Sequence, residues 1–202
     1  MNSFKKNLYR TILNCKLEVP LVVNRLKESF GLSIRDIENT FLRPRKCTLN
    51  SKLREFQFKM LHGIIYTNLD LYRFGLVSSD LCSFCKKEVE TYRHLFYDCE
   101  HIRPLWNACG DALNLPTLKE LNWEGIFFGA PLGDISKTYL LNHVILLLKY
   151  VIFQTKKKSI PPNSQEVKEI LVGNRVEEKR IALNRNTLSL HLKKRRLLIS
   201  NE

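Results

Sequence analysis

Apolar residues recur along most of this chain at intervals of three and four, the spacing that turns one helix face toward a core. From Ser51, the expected N-cap, Leu53, Phe56, Met60 and Ile64 fall down one such face. Gly75 followed by Leu76-Val77-Ser78-Ser79-Asp80 reads as a helix end and a turn. Pro104 suits a first helical turn, and Leu105, Trp106, Cys109 and Leu113 continue as an apolar stripe. Residues 138–155 are apolar nearly all round, which predicts a central helix. Lys156-Lys157-Lys158 and Pro161-Pro162 end it, and Asn163 with Glu166 has the offset of a capping box that opens a further helix toward Asn184. Two stretches read as strand: Gly125-Ile126-Phe127-Phe128-Gly129 and part of the turn around Cys82. The expected fold is mainly α, a helical module with a small β turn or hairpin.

This pattern predicts four segments: a basic helical N-terminal segment (1–49), a cysteine-bearing module (50–115), a C-terminal helical region (116–185) and a basic tail (186–202). There is no internal repeat. The longest apolar run, Tyr139 to Phe153, is interrupted by Asn142, His143 and Lys149, so it reads as a buried helix and no membrane partner is expected. Met1 to Leu13 is basic but lacks the apolar core of a secretory signal. The expected setting is intracellular and reducing, in nucleus or cytoplasm, where clustered cysteines mean metal more often than disulfide.

Charge changes the picture. The chain has 202 residues, 44% of them hydrophobic, enough for one compact domain. Its 33 Lys and Arg against 20 Asp and Glu give +13, an excess that points to a polyanion. Counted along the sequence, residues 1–60 and 149–202 each carry a net charge of +8, while 61–110 carries −1 and 111–148 carries −2. Two basic ends flank a near-neutral middle.

That middle holds the chemistry. Cys82, Cys85, His94 and Cys99 form the pattern C-x2-C-x8-H-x4-C. Two residues between cysteines let a tight turn aim both sulfurs at one tetrahedral Zn2+. His94 falls in an expected short helix from Glu90 to Tyr97, and Cys99 must lie past its end, because five positions along a continuous α-helix separate side chains by about 140°. Three thiolates and one imidazole fill the coordination sphere, so the expected zinc ion, one per chain, is structural. His101 is a rival to His94, but it leaves a cramped one-residue bite after Cys99. Cys109 lies on the apolar stripe and reads as core, while Cys15 and Cys47 are isolated. A RING or LIM module would need a second set of four ligands, and a retroviral nucleocapsid knuckle places its histidine four residues after the second cysteine rather than eight.

The run Arg54-Glu55-Phe56-Gln57-Phe58-Lys59-Met60-Leu61-His62-Gly63 is followed by Thr67-Asn68, the Cys82/Cys85 pair, Glu90-Thr91-Tyr92-Arg93-His94-Leu95-Phe96, Cys99 and Trp106. Together these resemble the zinc-binding domain at the C-terminal end of non-LTR (LINE-type) retrotransposon reverse transcriptases. The resemblance is close over about residues 50–110 and looser through Asn142-His143 and Lys149-Tyr150 to the helix after Pro162. It implies a helical module appended to the polymerase thumb that helps hold element RNA or target DNA, with Cys82, Cys85, His94 and Cys99 as zinc ligands. The polymerase of such elements needs paired aspartates holding two metal ions. Here Asp36, Asp70, Asp80, Asp98, Asp111 and Asp134 are never adjacent, and there is no Tyr-x-Asp-Asp. The chain is therefore expected to be no enzyme, with RNA or DNA and not a small molecule as its partner.

Three basic clusters are candidate phosphate contacts: Arg43, Arg45, Lys46, Lys52 and Arg54; Lys156, Lys157 and Lys158; and Lys193, Lys194, Arg195 and Arg196. The plain alternative is a solvated surface, and the last run also reads as a nuclear-localisation patch. Tyr66, Tyr72, Phe74, Phe84, Tyr92 and Tyr97 surround the zinc turn and are expected mostly as core, with Phe84 the one to be exposed for stacking on bases. Cys109 with His101 or His143 would be a nucleophile pair, but no orienting motif supports it. The alternative function is a zinc-folded interaction module that docks on the reverse transcriptase core.

Overall fold

The computed structural model describes residues 19–131 and 135–188, the side chains of 135–137 excepted, together with Asn7 and Thr11. The chain divides into two units, Met1–Asn39 and Thr40–Glu202. In the first, α1 (Leu21–Phe30) ends at Gly31, whose φ of 63° lets its N–H reach the Lys27 carbonyl. Ser33 and Asp36 then cap each other, Ser33 Oγ donating to the Asp36 carboxylate at 2.6 Å and accepting from the Asp36 amide at 3.2 Å. This opens α2 (Ile34–Cys47), which runs on into the second unit.

The second unit continues with α3 (Ser51–His62), α4 (Asn68–Arg73), a π-helical turn (His94–Asp98), α5 (Arg103–Ala112), α6 (Pro116–Lys119), α7 (Trp123–Phe128), α8 (Ile135–Lys156) and α9 (Ser164–Asn184). The fold is mainly α, as the apolar spacing predicts. Among the described residues, β structure is limited to one antiparallel bridge, Leu81 to Val89, in the cysteine turn. Helix α8 is the axis of the core. Val144 to Leu148, Val151 and Ile152 are all buried, and α3, α6, α9 and the π turn pack around them. Each such side chain contributes about 1.5–3 kcal/mol by leaving water. No described helix is long and apolar enough to cross a membrane.

Three local expectations shift. The cap of α3 is Asn50, whose side-chain oxygen accepts from the Lys52 amide at 2.9 Å, one residue before Ser51. Ile64 leaves the α3 face, because Gly63 ends the helix at φ 70° and Ile64 stands 49% exposed beyond it. Residues 125–129 are no strand. Asn122 caps the Gly125 amide and the run coils into α7, burying Ile126, Phe127 and Phe128. A short apolar run carries no period of its own, so the cap decided it. Gly129, at φ 89°, lies so near Asn142 that an added Cβ would meet its Oδ1 at 2.4 Å.

Several polar residues inside α8 are buried, among them Asn142, His143, Lys149 and Thr155. Lys149, 1% exposed, donates to Gln57 Oε1 at 2.6 Å and to the Phe127 carbonyl at 3.0 Å. Burial pushes its pKa down to about 7, against the attraction of Cys47. An unfolded lysine titrates near 10.4. Between these values the unfolded chain holds more protons, so Lys149 costs stability at pH 7 and releases that cost as pH rises toward 10. Urea midpoints at pH 7.5 to 9.5 should show wild type gaining on Lys149→Met by up to about 1.4 kcal/mol per unit. A pH-independent difference would refute the neutral buried amine. Glu178, 1% exposed, accepts from the Leu49 amide at 2.9 Å and from the Thr48 hydroxyl, with His143 Nδ1 at 3.8 Å, and so ties α9 to the start of α3.

Candidate metal centre

Cys82 and Cys85 sit on a tight reversal. The Cys82 amide donates to Glu88 and the Glu90 amide to Asp80, both at 2.8 Å, on either side of the Leu81–Val89 bridge. Lys86 completes the turn at φ 59°, its N–H 3.1 Å from the Cys82 carbonyl. Within it the Phe84 amide points at Cys82 Sγ, 3.4 Å away.

The other two donors come from the π turn. The spacing predicts that the helix must break between His94 and Cys99, since an α-helix would splay them. Cys99 does lie just past the helical turn, which widens over His94–Asp98 so that the Cys99 amide bonds to the His94 carbonyl five residues back at 3.0 Å. An i→i+5 turn brings the fifth residue back over the first. Cys99 then leaves helical geometry at φ −57°, ψ 132°. The indole of Trp106 holds the turn from behind, donating to the Phe96 carbonyl at 2.8 Å.

These elements gather Cys82, Cys85, His94 and Cys99 with all donor atoms within 4.8 Å of one another. Two sulfurs about 2.3 Å from a tetrahedral zinc ion stand about 3.8 Å apart. Cys82 and Cys99 Sγ lie at 3.8 Å, and Cys85 Sγ is 3.3 Å from His94 Nε2. The donor set and its spacing fit zinc. With all four positions supplied by protein, an ion held there would be structural. Burial pushes the Cys82 thiol up to about 12 and raises Cys99 as well. At Cys85 burial also disfavours the thiolate, but amides of Lys87 and Glu88 and the neighbouring His94 outweigh it, bringing it down to about 7.

Residues 36–106 match the family model described as zinc-binding in reverse transcriptase. The match contains all four donors and the Trp106 brace, and supports a reverse transcriptase zinc-binding domain over those residues. It starts in α2, ahead of the run from residue 50 that carries the resemblance. No curated protein and no solved structure matches the chain.

Glu90 supports the site, a role that sequence reasoning did not single out. Fully buried, it accepts from the Ser83 amide inside the C-x2-C turn at 2.7 Å and from the Asn68 amide at 2.8 Å. Lys156, at the end of α8, pairs with it at 2.5 Å. This carboxylate therefore fixes the cysteine turn to both α4 and α8.

Lys156 is accordingly a correction among the expected phosphate contacts: its amine faces inward on Glu90 and the Tyr66 carbonyl. Arg43 also turns in, its Nη1 donating to the Phe128 and Gly129 carbonyls at 2.9 and 3.1 Å. Half-buried Arg54 bonds the Thr48 carbonyl, and burial lowers its pKa. Arg45, Lys46, Lys52, Lys157 and Lys158 are exposed. Lys193, Lys194, Arg195 and Arg196 lie outside the described residues, as does Cys15. Phe84 is corrected as well: it is 7% exposed, whereas Tyr66, Tyr72 and Phe74 are 45–58% exposed. His101 stays out of the cluster, beside Glu100 at 3.8 Å. Cys109 is buried and its thiol pushed up to about 11, the opposite of an activated nucleophile.

Proposed function

We propose that the chain is the non-catalytic zinc module of a non-LTR, LINE-type retrotransposon reverse transcriptase, placed C-terminal to the polymerase, and that it holds RNA or DNA through phosphate contacts. The observation that carries this reading is the four-donor cluster inside the segment that matches zinc-binding in reverse transcriptase. Supporting it are the exposed cations Arg45, Lys46, Lys52, Lys157 and Lys158, with Lys193 to Arg196 as further candidates. A closed coordination sphere leaves the metal no position for substrate, which favours a binding role over chemistry. Nucleus and cytoplasm both suit such a role.

Each phosphate neutralised on a single strand contributes about −0.7 to the slope of log affinity against log salt. Five exposed contacts give an expected slope of about −3 to −4 for a fluorescent single-stranded oligonucleotide. Absence of binding even at low salt would end the reading. A second reading, docking on the reverse transcriptase core, is favoured by the exposed apolar residues Tyr72, Phe74 and Leu76; a salt-insensitive complex with that core would support it.

A further inference from the structure

A cleft of about 500 Å³ opens between α3, α8 and the segment 64–66, within the size range of small-molecule and nucleotide sites. Rings and lysines share its wall. Tyr66, Tyr150 and Phe153 line it with Lys52 and Lys157, and Glu55, the acid on this wall among the described residues, is paired with Lys59 at 2.6 Å. The Tyr66 ring meets Phe74 at 5.3 Å in an edge contact and still stands 45% exposed.

The zinc-binding segment props this wall. Tyr92 donates its hydroxyl proton to the Ile65 carbonyl. Lys156 reaches the Tyr66 carbonyl at 3.1 Å while paired with Glu90, which grips the C-x2-C turn. The segment that carries Tyr66 is thus held from the same carboxylate that holds the cysteines.

We infer that this cleft is a base-stacking site for single-stranded nucleic acid, with Tyr66 as its exposed platform and Lys52 and Lys157 as backbone contacts. The inference rests on the nucleic-acid reading above and assigns it a place. Exposed rings flanked by cations suit a strand whose bases stack while its phosphates meet charge. An apolar helix would gain nothing from the lysines.

The test uses the zinc-loaded full chain and two fluorescent oligonucleotides of equal length and charge, one a plain single strand and one abasic throughout. The plain strand should bind more tightly, and Tyr66→Ala should cost it about 5- to 100-fold while leaving the abasic strand unchanged. Tyr66→Phe, which keeps the ring, should retain wild-type affinity. Salt-dependent binding of both strands without preference, unaffected by Tyr66→Ala, overturns the cleft and leaves the phosphate reading standing. Failure of both strands to bind at low salt overturns the phosphate reading and the cleft with it. Self-association abolished by Tyr66→Ala, without base preference, would overturn the inference by giving the cleft to a second copy.

Discussion

Cys82→Ser and His94→Ala will each abolish binding of one zinc equivalent and unfold the segment between the cysteine turn and Trp106. The effect is expected to be large because the segment has little regular secondary structure of its own. Its β content is one bridge, and its named helical element ahead of α5 is a π turn of five residues. A structural zinc site of this kind contributes on the order of 10 kcal/mol or more to folding. Metal analysis of the purified variants checks the first half, and thermal melting by circular dichroism with and without chelator checks the second. A metal-free chain that melts like the zinc-loaded one would show that the four donors are packed for another reason.

Glu90→Ala should destabilise the protein by about 3–5 kcal/mol, the cost of breaking a buried ion pair by removing one partner. The variant strands the Lys156 ammonium, which is 10% exposed, and leaves the Ser83 and Asn68 amides without their acceptor. Glu90→Leu with Lys156→Met removes both charges and should recover part of the loss, so the double-mutant cycle separates the charge from the amide bonds. Urea denaturation of the zinc-loaded proteins measures each corner. Equal stability of wild type and Glu90→Ala would remove Glu90 from its place as the joint between turn and core.

The cluster of four candidate zinc donors was legible because its geometry is local. C-x2-C needs only a turn, and His94 and Cys99 need only one irregular helical turn, so 18 residues contain the whole arrangement. What the spacing did not reveal was how the last step is made. It predicts Cys99 past the end of the helix, and the chain brings it there by a π turn braced by Trp106, since a wider turn aligns His94 with Cys99 while keeping a backbone bond between them. The hydrophobic stripes placed α3, α5 and α8 for the same local reason, and they failed at Ile64 and at residues 125–129, where a cap or a glycine outweighed the pattern.

The roles of the cations were not legible. Lys156 stands in a run with Lys157 and Lys158, yet its partner Glu90 comes from the zinc turn. Arg43 looks like Arg45 in sequence, but its hydrogen bonds go to carbonyls 85 and 86 residues away. A charge count sees side chains, whereas burial depends on which remote backbone leaves an acceptor unpaired.

By itself, then, the sequence determined the helical character of this protein, its four candidate zinc donors and a basic excess concentrated at its two ends, because periodicity, ligand spacing and net charge are properties of neighbours along the chain. Only the tertiary structure decided which of those charges face water, which aromatics stand at the surface, and that one buried carboxylate joins the cysteine turn to the core. Those outcomes belong to contacts between distant segments, and desolvation at each contact settles whether a lysine becomes a phosphate ligand or a strut.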